Sequence, residues 1–183
     1  MRYFRKIAGE RLYLSPFDAA DAEIYTKWAE WMNDQSVSEN YGGNAGLVSP
    51  TRAQKTLEEF TGYRFVMVLS ENDEAIGHIS LHDIDHMHRH AFIGIFIGSG
   101  EQRNKGYGAE AIRLLLEYGF NTLNLHNIML SVHEDNPAGI ACYKKVGFRE
   151  VGRRREWVFQ NGAYIDILYM DILAREFAEL RKK

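Results

Sequence analysis

The chain has 183 residues, 45% of them hydrophobic, and a formal net charge of −3 from 25 acidic and 22 basic residues. This length suits a single domain over residues 1–183 with a sizeable core, and the slight acidity argues against a nucleic acid partner and mildly favours a cationic substrate. The single cysteine, Cys142, excludes internal disulfides and is typical of a reducing compartment, so we expect a cytoplasmic protein.

The sequence does not predict attachment to a membrane. Residues 1–10 are charged and lack the apolar region of a signal peptide. No apolar run approaches the roughly 20 residues that a helix needs to cross a bilayer. We therefore expect no membrane partner.

A strand and a helix are the first predicted elements. Apolar and polar residues alternate over residues 11–14, which predicts a strand. Ser15 can cap a helix and Pro16 suits its first position, so we predict a helix from Ser15 to about residue 32. Residues 33–48 are polar and contain glycine, which favours a loop with room for a helical turn.

A second helix and a hairpin follow. Ser49 and Pro50 repeat the cap-and-proline start, so we predict a helix that ends near residue 60. Two apolar runs flank a polar turn, which predicts a hairpin. Its strands are residues 65–69 and 75–82, and the turn contains Asn72 and Asp73.

Four histidines lie at the end of this hairpin and just beyond it, which raises the question of a metal site. Their spacing matches no ligand framework for zinc or another metal. We therefore expect no metal, and we expect these histidines at the surface or at the edge of a pocket. They are His82, His86, His88 and His90.

The centre of the chain is organised around a glycine-bearing turn between a strand and a helix. An apolar run at residues 92–97 predicts a buried strand, and the helix after the turn is amphipathic. Its apolar face consists of Ala109, Ile112, Leu115, Leu116 and Phe120. The first N–H groups of a helix lack partners and lie at the positive end of its dipole, so the turn favours a phosphate. Gly106 and Gly108 let the backbone approach that phosphate closely.

A second strand and helix follow, and the chain ends in a hairpin. An apolar run predicts a strand at residues 128–132, and Asn136 before Pro137 is a good helix cap. The pair Asn161-Gly162 is a strong turn signal between strands at residues 148–159 and 163–173. A charged tail with room for a short helix completes the chain. This order of elements predicts a mixed α/β domain.

Two motifs in this region resemble those of the GNAT superfamily of acetyl-CoA-dependent N-acetyltransferases, closest to the branch of ribosomal-protein and polyamine acetyltransferases. The Arg/Gln-x-x-Gly-x-Gly/Ala pyrophosphate loop is matched at Arg103, Gly106 and Gly108. The signature Asn-x-x-Ala-x-x-x-Tyr-x-x-x-Gly-Phe is matched from Asn136 to Phe148, where residues 139–141 vary freely. The resemblance implies an α/β (α+β) fold with a mixed, mostly antiparallel central sheet flanked by helices. It also implies a V-shaped cleft for acetyl-CoA where two neighbouring strands splay.

The resemblance implies how this cleft would hold acetyl-CoA. The pyrophosphate would bind backbone N–H groups of Arg103, Asn104, Lys105, Gly106, Tyr107 and Gly108. The pantetheine arm would pair with Ile95, Phe96 and Ile97 as an added strand does. An N–H near Phe96 or Ile97 would polarise the thioester oxygen, as in an oxyanion hole. The amide of Asn136 would contact the cofactor, cap the helix, or do both.

Tyr143 is the expected general acid and a further contact to the cofactor. It lies seven positions after Asn136, about two helical turns, so both side chains can face the same side. Its phenol is protonated at neutral pH and can donate to the departing sulfur. The alternative is a tyrosine that only covers the core.

The general base is not identified by the resemblance. Relatives often carry a Glu on the strand before the loop, and Phe92 occupies that position here. A base acting through water remains open, as does an amine that arrives already neutral. The alternatives for the base are Asp83, Asp85, His133, Glu134 and Glu39.

Four residues are the candidates for contact with the acceptor, although core packing is the simpler role for the first of them. They are Trp31, Glu39, Asp83 and Asp85. Together with Asp34, the acidic members predict a cationic amine as the acceptor.

These observations favour an N-acetyltransferase that acetylates a primary amine by direct attack in a ternary complex. The acceptor would be a polyamine, another small amine or a peptide N-terminus. A non-catalytic acyl-CoA-binding or sensing module stays open because the usual Glu is missing, and Tyr143 counts against it. An ATP-binding role is weaker, since the loop lacks the Gly-Lys-Ser/Thr ending of a P-loop. The sequence leaves the oligomeric state open, a homodimer included.

Overall fold

The computed structural model describes residues 3–18, 20–41 and 46–182, and an eight-stranded sheet runs through this part of the chain. The strands are β1 (Ile7–Ala8), β2 (Leu12–Pro16), β3 (Gly62–Leu69), β4 (Ala75–Asp85), β5 (His90–Ile97), β6 (Asn127–His133), β7 (Arg149–Gln160) and β8 (Ala163–Leu173). Their order is β1-β2-β3-β4-β5-β6-β8-β7, and all neighbours are antiparallel except β5 and β6. The predicted mixed, mostly antiparallel sheet is confirmed.

Helices cover both faces of this sheet. Within the described ranges they are α1 (Ala22–Asn33), α2 (Gln35–Ser38), α3 (Pro50–Glu58), α4 (Tyr107–Glu117), α5 (Pro137–Val146) and α6 (Ala174–Leu180). The predicted apolar face of α4 is buried on one side of the sheet, and α1 and α3 pack on the other. A π-helical turn, Tyr118–Thr122, follows α4. None of the helices in the described part of the chain combines the length and the apolar character that a membrane crossing requires.

β5 and β6 separate along their length, and this separation opens a cleft in the sheet. Their parallel pairing starts at His90 with Asn127 and ends at Phe92 with Met129. Beyond that point β5 continues to Ile97 paired with β4, while β6 stays paired with β8. The predicted V-shaped cleft between two neighbouring strands is therefore confirmed.

The first helix begins later than predicted. Ser15 and Pro16 belong to β2, and α1 begins only at Ala22. Asp21 is the cap of α1, and its carboxylate accepts a hydrogen bond from the backbone N–H of Glu23. The prediction of a helix start at Ser15 is wrong, and an Asp takes the capping role six residues later.

Two contacts explain why Ser15 and Pro16 end a strand. Ser15 is buried, and its hydroxyl accepts a hydrogen bond from the backbone N–H of Phe4. Pro16 lies beyond the reach of β1, whose pairing stops at Leu14, so its missing N–H removes no hydrogen bond to that neighbour. The cap-and-proline pattern is therefore used at the end of a strand.

Most other predicted elements are confirmed with small shifts. α3 starts at Pro50 behind its cap Ser49, β8 has the predicted bounds, and the tail forms α6. The predicted loop contains α2, and its residues 42–45 lie outside the described residues. β4 runs three residues further than predicted, to Asp85. The two residues of β1 are too few to carry a periodic pattern, so the sequence does not predict this strand.

Ser49→Ala is expected to lower the free energy of unfolding by about 1 kcal/mol, because it removes a helix cap. The Ser49 hydroxyl accepts a hydrogen bond from the backbone N–H of Arg52 at 3.2 Å. Chemical denaturation measures the loss, with Thr51→Ala as the matched control because Thr51 is exposed in the same turn. Equal losses in the two variants would contradict the capping role.

Candidate active site

A cavity of about 1180 Å³ occupies the space where β5 and β6 diverge. Its walls come from β5, the start of α4, the end of β6, α5, the β7–β8 hairpin and the α2 region. Most of the cofactor residues expected from the sequence meet here, whereas Lys105 and Tyr107 do not line the cavity. Those that line it are Ile95, Phe96, Ile97, Arg103, Asn104, Gly106, Gly108, Asn136 and Tyr143.

The turn before α4 and the first residues of that helix border this cavity through Asn104, Gly106 and Gly108. Asn104 and Gly106 have φ angles of 61° and 86°, in the left-handed region that favours glycine. Gly106 is the residue before the first turn of α4, and among the described residues no side chain caps this helix. The first N–H groups of α4 therefore lack an intrahelical acceptor and lie at the positive end of its dipole. This end of the cavity can bind an anion.

Arg11 supports this turn from outside the cavity. Its guanidinium donates a hydrogen bond to the carbonyl of Lys105 at 2.9 Å and pairs with Glu110 at 2.8 Å. It also lies over the Tyr107 ring, 4.8 Å from the ring centre. Arg11 is distant from the loop in sequence, so no local motif could identify this support.

The Arg103 side chain holds the end of β5 to α2. Its Nε donates a hydrogen bond to the Ile97 carbonyl at 3.0 Å, and its Nη1 donates to the Ser36 hydroxyl at 2.9 Å. Its backbone N–H donates to the Gly100 carbonyl at 3.2 Å. These donors are already used within the protein, so the N–H groups that follow Arg103 are the better placed ones for an anion.

The open edge of β5 carries the N–H groups of Ile95 and Ile97. The Gly98 N–H, one residue beyond the end of β5, donates a hydrogen bond to the Ile76 carbonyl of β4 at 2.9 Å. Along an antiparallel strand, successive backbone N–H groups point to opposite sides of the strand. The Phe96 N–H therefore faces β4, as the Gly98 N–H does, and the N–H groups of Ile95 and Ile97 face the cleft. Of the two groups expected near the thioester oxygen, the Ile97 N–H is therefore directed to the cleft and the Phe96 N–H is not.

α5 brings Asn136 and Tyr143 to the same cavity. The side-chain oxygen of Asn136 accepts a hydrogen bond from the Gly139 N–H at 2.9 Å, which confirms its capping role. Burial, followed by the neighbouring Cys142 and Tyr41 side chains, raises the pKa of Tyr143 well above that of an ordinary tyrosine. The Tyr143 hydroxyl is thus protonated at neutral pH and can donate a hydrogen bond into the cavity.

Polar atoms from two separate segments converge above Gly94 of β5. A Cβ at Gly94 would lie 3.5 Å from the Ser80 hydroxyl, 3.6 Å from the Tyr41 hydroxyl and 3.7 Å from Nε2 of His82. Tyr41 and His82 line the cavity, and Nδ1 of His82 is 3.0 Å from a carboxylate oxygen of Asp83. His82 therefore lies at a pocket edge, one of the two positions expected for it. His82 lies on the same face of β4 as Ser80, because side chains two residues apart on a strand point to the same side.

No carboxylate among the described residues lines the cavity, although Asp83 pairs with His82 at its edge, so the predicted gathering of acidic residues at the mouth is at most partial. The expected residues are engaged by other groups: Ser36 for Asp34, Gln35 and Asn161 for Glu39, His82 for Asp83, and the His88 N–H for Asp85. Glu39 comes nearest to a role at the mouth, because Asn161 is at the tip of the β7–β8 hairpin. The argument for a cationic acceptor therefore loses its structural basis.

Trp31 lies in the core and does not line the cavity. It is buried and packs edge-on against Phe96, with 5.7 Å between ring centres. It covers Gly98 so closely that a Cβ there would lie 2.2 Å from the indole. Core packing, the simpler of its two predicted roles, describes its position.

The remaining base candidates lie on or near β6. His133 lines the cavity and is buried, and its Nδ1 is 4.0 Å from the Asp135 carboxylate, beyond hydrogen-bond distance. Glu134 pairs with Arg153 at 2.8 Å on the surface. Over the described ranges, no group of three or more His, Cys, Asp or Glu side chains is arranged to hold a metal ion.

Comparisons with known proteins identify relatives of the chain. A family model described as an acetyltransferase (GNAT) domain matches residues 11–149. Spermidine N(1)-acetyltransferase of Vibrio cholerae is 37% identical over 114 residues, which are 62% of this chain and 65% of that protein. The putative ribosomal N-acetyltransferase YdaF of Bacillus subtilis is 35% identical over 101 residues, 55% of each chain. Both matches span less than two thirds of the relative's length.

A solved structure extends this similarity over nearly the whole chain. Spermidine N-acetyltransferase from Vibrio cholerae in complex with CoA and spermine has a TM-score of 0.80 and 28% identity to it. The comparison covers 93% of this chain and 99% of that one.

Proposed function

Because this chain belongs to the GNAT acetyltransferase family, we propose that the cavity between β5 and β6 is where it transfers an acetyl group from acetyl-CoA to a primary amine. One observation carries this proposal: an open strand edge lies next to an uncapped helix N-terminus. Such an edge can pair with an extended pantetheine arm, and such a helix end favours a pyrophosphate. The proposal takes residues 1–183 as one catalytic domain.

Backbone groups would hold most of the cofactor. The N–H groups from Asn104 to Gly108 would bind the pyrophosphate, with Arg11 and Arg103 keeping the turn in place through their contacts to Lys105 and Ile97. The N–H of Ile95 would pair with the pantetheine arm. The amide nitrogen of Asn136 is available to the cofactor, because its side-chain oxygen already caps α5.

Bound acetyl-CoA supplies the thioester carbon that the amine attacks. The Ile97 N–H would donate to the carbonyl oxygen as negative charge develops there. The Tyr143 hydroxyl would donate to the sulfur as the carbon–sulfur bond breaks. The acetyl group would pass from acetyl-CoA to the amine without first being carried by a cysteine. Burial raises the pKa of Cys142 and keeps its thiol protonated and poorly nucleophilic.

The cavity favours an acceptor whose amine is attached to an apolar or aromatic group. Its wall around Tyr41, β5 and the β7–β8 hairpin is rich in aromatic side chains. Two of these rings, Trp157 and Tyr169, already hold the guanidinium of Arg154 at 4.6 Å and 5.2 Å from their centres, so they are less available to an ammonium of the acceptor. A polyamine would bring additional ammonium groups into a cavity without a carboxylate among the described lining residues, and an unpaired charge loses solvation there. The Vibrio cholerae relative was solved with spermine, so the two proteins would differ in acceptor.

Release of CoA thiol from acetyl-CoA tests both the reaction and the acceptor. We expect kcat/KM for a phenylalkylamine, or for a peptide amide beginning with an apolar residue, to exceed that for spermidine by about tenfold or more, because apolar surface is buried and no second ammonium is desolvated. Trp157→Ala should reduce this preference, and Val151→Ala, an exposed change on the same strand that does not line the cavity, should not.

Three other results of this assay would each change the proposal. A preference for spermidine would contradict the apolar acceptor while leaving the acetyltransferase reaction intact. Binding of acetyl-CoA without thiol release with any amine would instead favour the acyl-CoA-sensing alternative. Lack of acetyl-CoA binding would reject the cavity as the cofactor site.

A further inference from the structure

His82 and Asp83 form a paired unit at the edge of the active-site cavity. Nδ1 of His82 and the Asp83 carboxylate are 3.0 Å apart, which fits a hydrogen bond donated by Nδ1–H. With that proton on Nδ1, the other ring nitrogen, Nε2, carries a lone pair. Nε2 lies 3.7 Å from the position that a Cβ at Gly94 would take, a position that the Tyr41 and Ser80 hydroxyls also approach. The pair therefore presents a proton acceptor to the cavity.

The local backbone is bent in a way that creates this pair. The pairing between β4 and β5 changes register between His82 and Asp85, as at a β-bulge. Asp83 has a φ of 49°, a left-handed conformation that is uncommon for a residue other than glycine. In a regular strand, consecutive side chains point to opposite faces of the sheet. The bulge lets Asp83 turn back to its neighbour's ring, and such bulges often re-aim side chains next to active sites.

The ring of His82 is held in place but remains accessible. It stacks on Phe92, with 5.9 Å between ring centres, and meets Phe60 edge-on at 6.2 Å. Its side chain is 33% exposed, so a proton taken up by the ring can pass to solvent. Phe92 thus occupies the strand position of the usual Glu and supports the histidine that lies beside it.

The other titratable groups that face His82 do not compete for this role. Burial lowers the pKa of His78 well below that of an ordinary histidine, so His78 is neutral. Burial raises the pKa of Tyr41, and its phenol keeps its proton. Burial lowers the pKa of Arg64 only to about 10, so Arg64, which interacts electrostatically with both of them, stays cationic at neutral pH. Asp83 is the carboxylate directly paired with His82 in the described part of the chain.

We propose that His82 is the general base of this enzyme, with Asp83 as the positioning residue that orients its ring. This inference rests on the proposed acetyltransferase function. The acceptor ammonium gives one proton to Nε2, which releases it to solvent. The neutral nitrogen then forms a bond to the thioester carbon while the carbon–sulfur bond breaks. The sulfur takes the Tyr143 proton, and the amide nitrogen returns its surplus proton to Tyr143. One ammonium ion and one thioester thus give one amide, one thiol and one proton.

His133 is the competing base, because it also lines the cavity. It is almost fully buried, whereas the His82 side chain is 33% exposed. Its Nδ1 lies 4.0 Å from Asp135, and within the described ranges no hydrogen bond to this atom fixes which nitrogen carries the proton. His82 has both features, an orienting carboxylate and an exposed ring.

His82→Gln is the direct test of this proposal, with His86→Gln as control because His86 is exposed on the same hairpin and does not line the cavity. We expect His82→Gln to lower kcat/KM for an alkylamine by about a hundredfold, the low end for a positioned base. An alkoxyamine of the same shape, which is neutral at pH 7, should lose much less. Acetyl-CoA affinity, measured by calorimetry, should match that of the control.

The pH profile separates a base from a residue that only supports the fold. With an alkylamine, kcat/KM of the unmodified protein should level off at a pH well below the pKa of the free amine, because His82 removes the proton from the bound ammonium. In His82→Gln it should climb steadily towards the pKa of the free amine, about 10. An unchanged profile would overturn the proposal, and so would these signatures appearing in His133→Gln instead.

Asp83→Ala gives a second test, with the fold checked by thermal denaturation, because the Asp83 side chain is 75% exposed but its φ of 49° suits Asp better than Ala. We expect a smaller loss of kcat/KM, about threefold to tenfold, since exposed pairs are weak, with acetyl-CoA affinity unchanged. If both variants match the unmodified enzyme, the inference fails and the acetyltransferase function stands. If the unmodified protein releases no thiol with any amine, the function and the inference fail together.

Discussion

Gly108→Val is expected to weaken acetyl-CoA binding by about a hundredfold in a protein that still folds, since overpacking a filled site costs up to about 3 kcal/mol. A Cβ at Gly108 would lie 3.8 Å from both the Cys142 sulfur and Cδ1 of Ile97. Those two side chains line the cavity from α5 and β5, so the new side chain would point between the two walls. The methyl groups of valine would then take up space that the cofactor needs. Gly108 does not have a positive φ, so the backbone accepts the change.

Calorimetry with acetyl-CoA measures this effect directly. Gly108→Ala should give an intermediate loss, because its single methyl group is in ordinary contact with its neighbours. Gly100→Val is the matched control, since a Cβ at Gly100 meets no atom within 4 Å and Gly100 does not line the cavity. Unchanged affinity in a folded Gly108→Val protein would show that the cofactor does not pass between β5 and α5.

Local patterns predicted the scaffold of this cleft because they depend on short-range physics. The apolar face of α4 repeats at helical spacing, and all five of its predicted members are buried. The turn signal Asn161-Gly162 predicted the terminal hairpin. β8 has the predicted bounds because this turn precedes it and the charged tail follows it. In each case the residues that decide the structure are neighbours in sequence.

The same kind of pattern failed where a distant contact decides the outcome. Ser15 and Pro16 look like a helix start, but the Ser15 hydroxyl accepts its hydrogen bond from the distant Phe4 N–H. Pro16 can end a strand because β1 is too short to pair with it. Arg11 supports the turn before α4 from another strand, and nothing near that turn in sequence points to it. Tertiary contacts override local preference at such positions.

The acceptor end of the site was the least predictable part. Charge alone placed Asp34 and Asp85 near the mouth, yet each accepts a hydrogen bond from a backbone N–H two or three residues later, as Asp often does in turns. His82 looked like one member of a histidine-rich loop. The predicted strand already reached His82, but the pairing of His82 with Asp83 depends on the bulge at Asp83, which has no sequence signal of its own.

Tyr143→Phe is expected to lower kcat by about a hundredfold, the low end for a positioned acid, with little change in acetyl-CoA affinity. The ring keeps its edge-on contact with Phe148, 6.1 Å between centres, so packing is preserved and only the hydroxyl is lost. The raised pKa of Tyr143 makes its phenol a weaker acid than a thiol, which titrates at about 8.5. Its main contribution is therefore a hydrogen bond that strengthens as the sulfur gains charge. Once the Tyr143 proton has passed to the sulfur, the proton that leaves the amide nitrogen replaces it on the phenol.

Steady-state kinetics and calorimetry on Tyr143→Phe separate the roles that remain for this residue. Tyr164→Phe is the matched control, because Tyr164 is exposed and does not line the cavity. Burial raises the pKa of Tyr143, so the unmodified enzyme should show no loss of rate from this group up to about pH 10. Unchanged turnover in Tyr143→Phe would assign the residue to packing and leave solvent to protonate the thiolate. Normal turnover with a large loss of affinity would make it a cofactor-binding residue, and the acid would then have to be a water molecule held in the cleft.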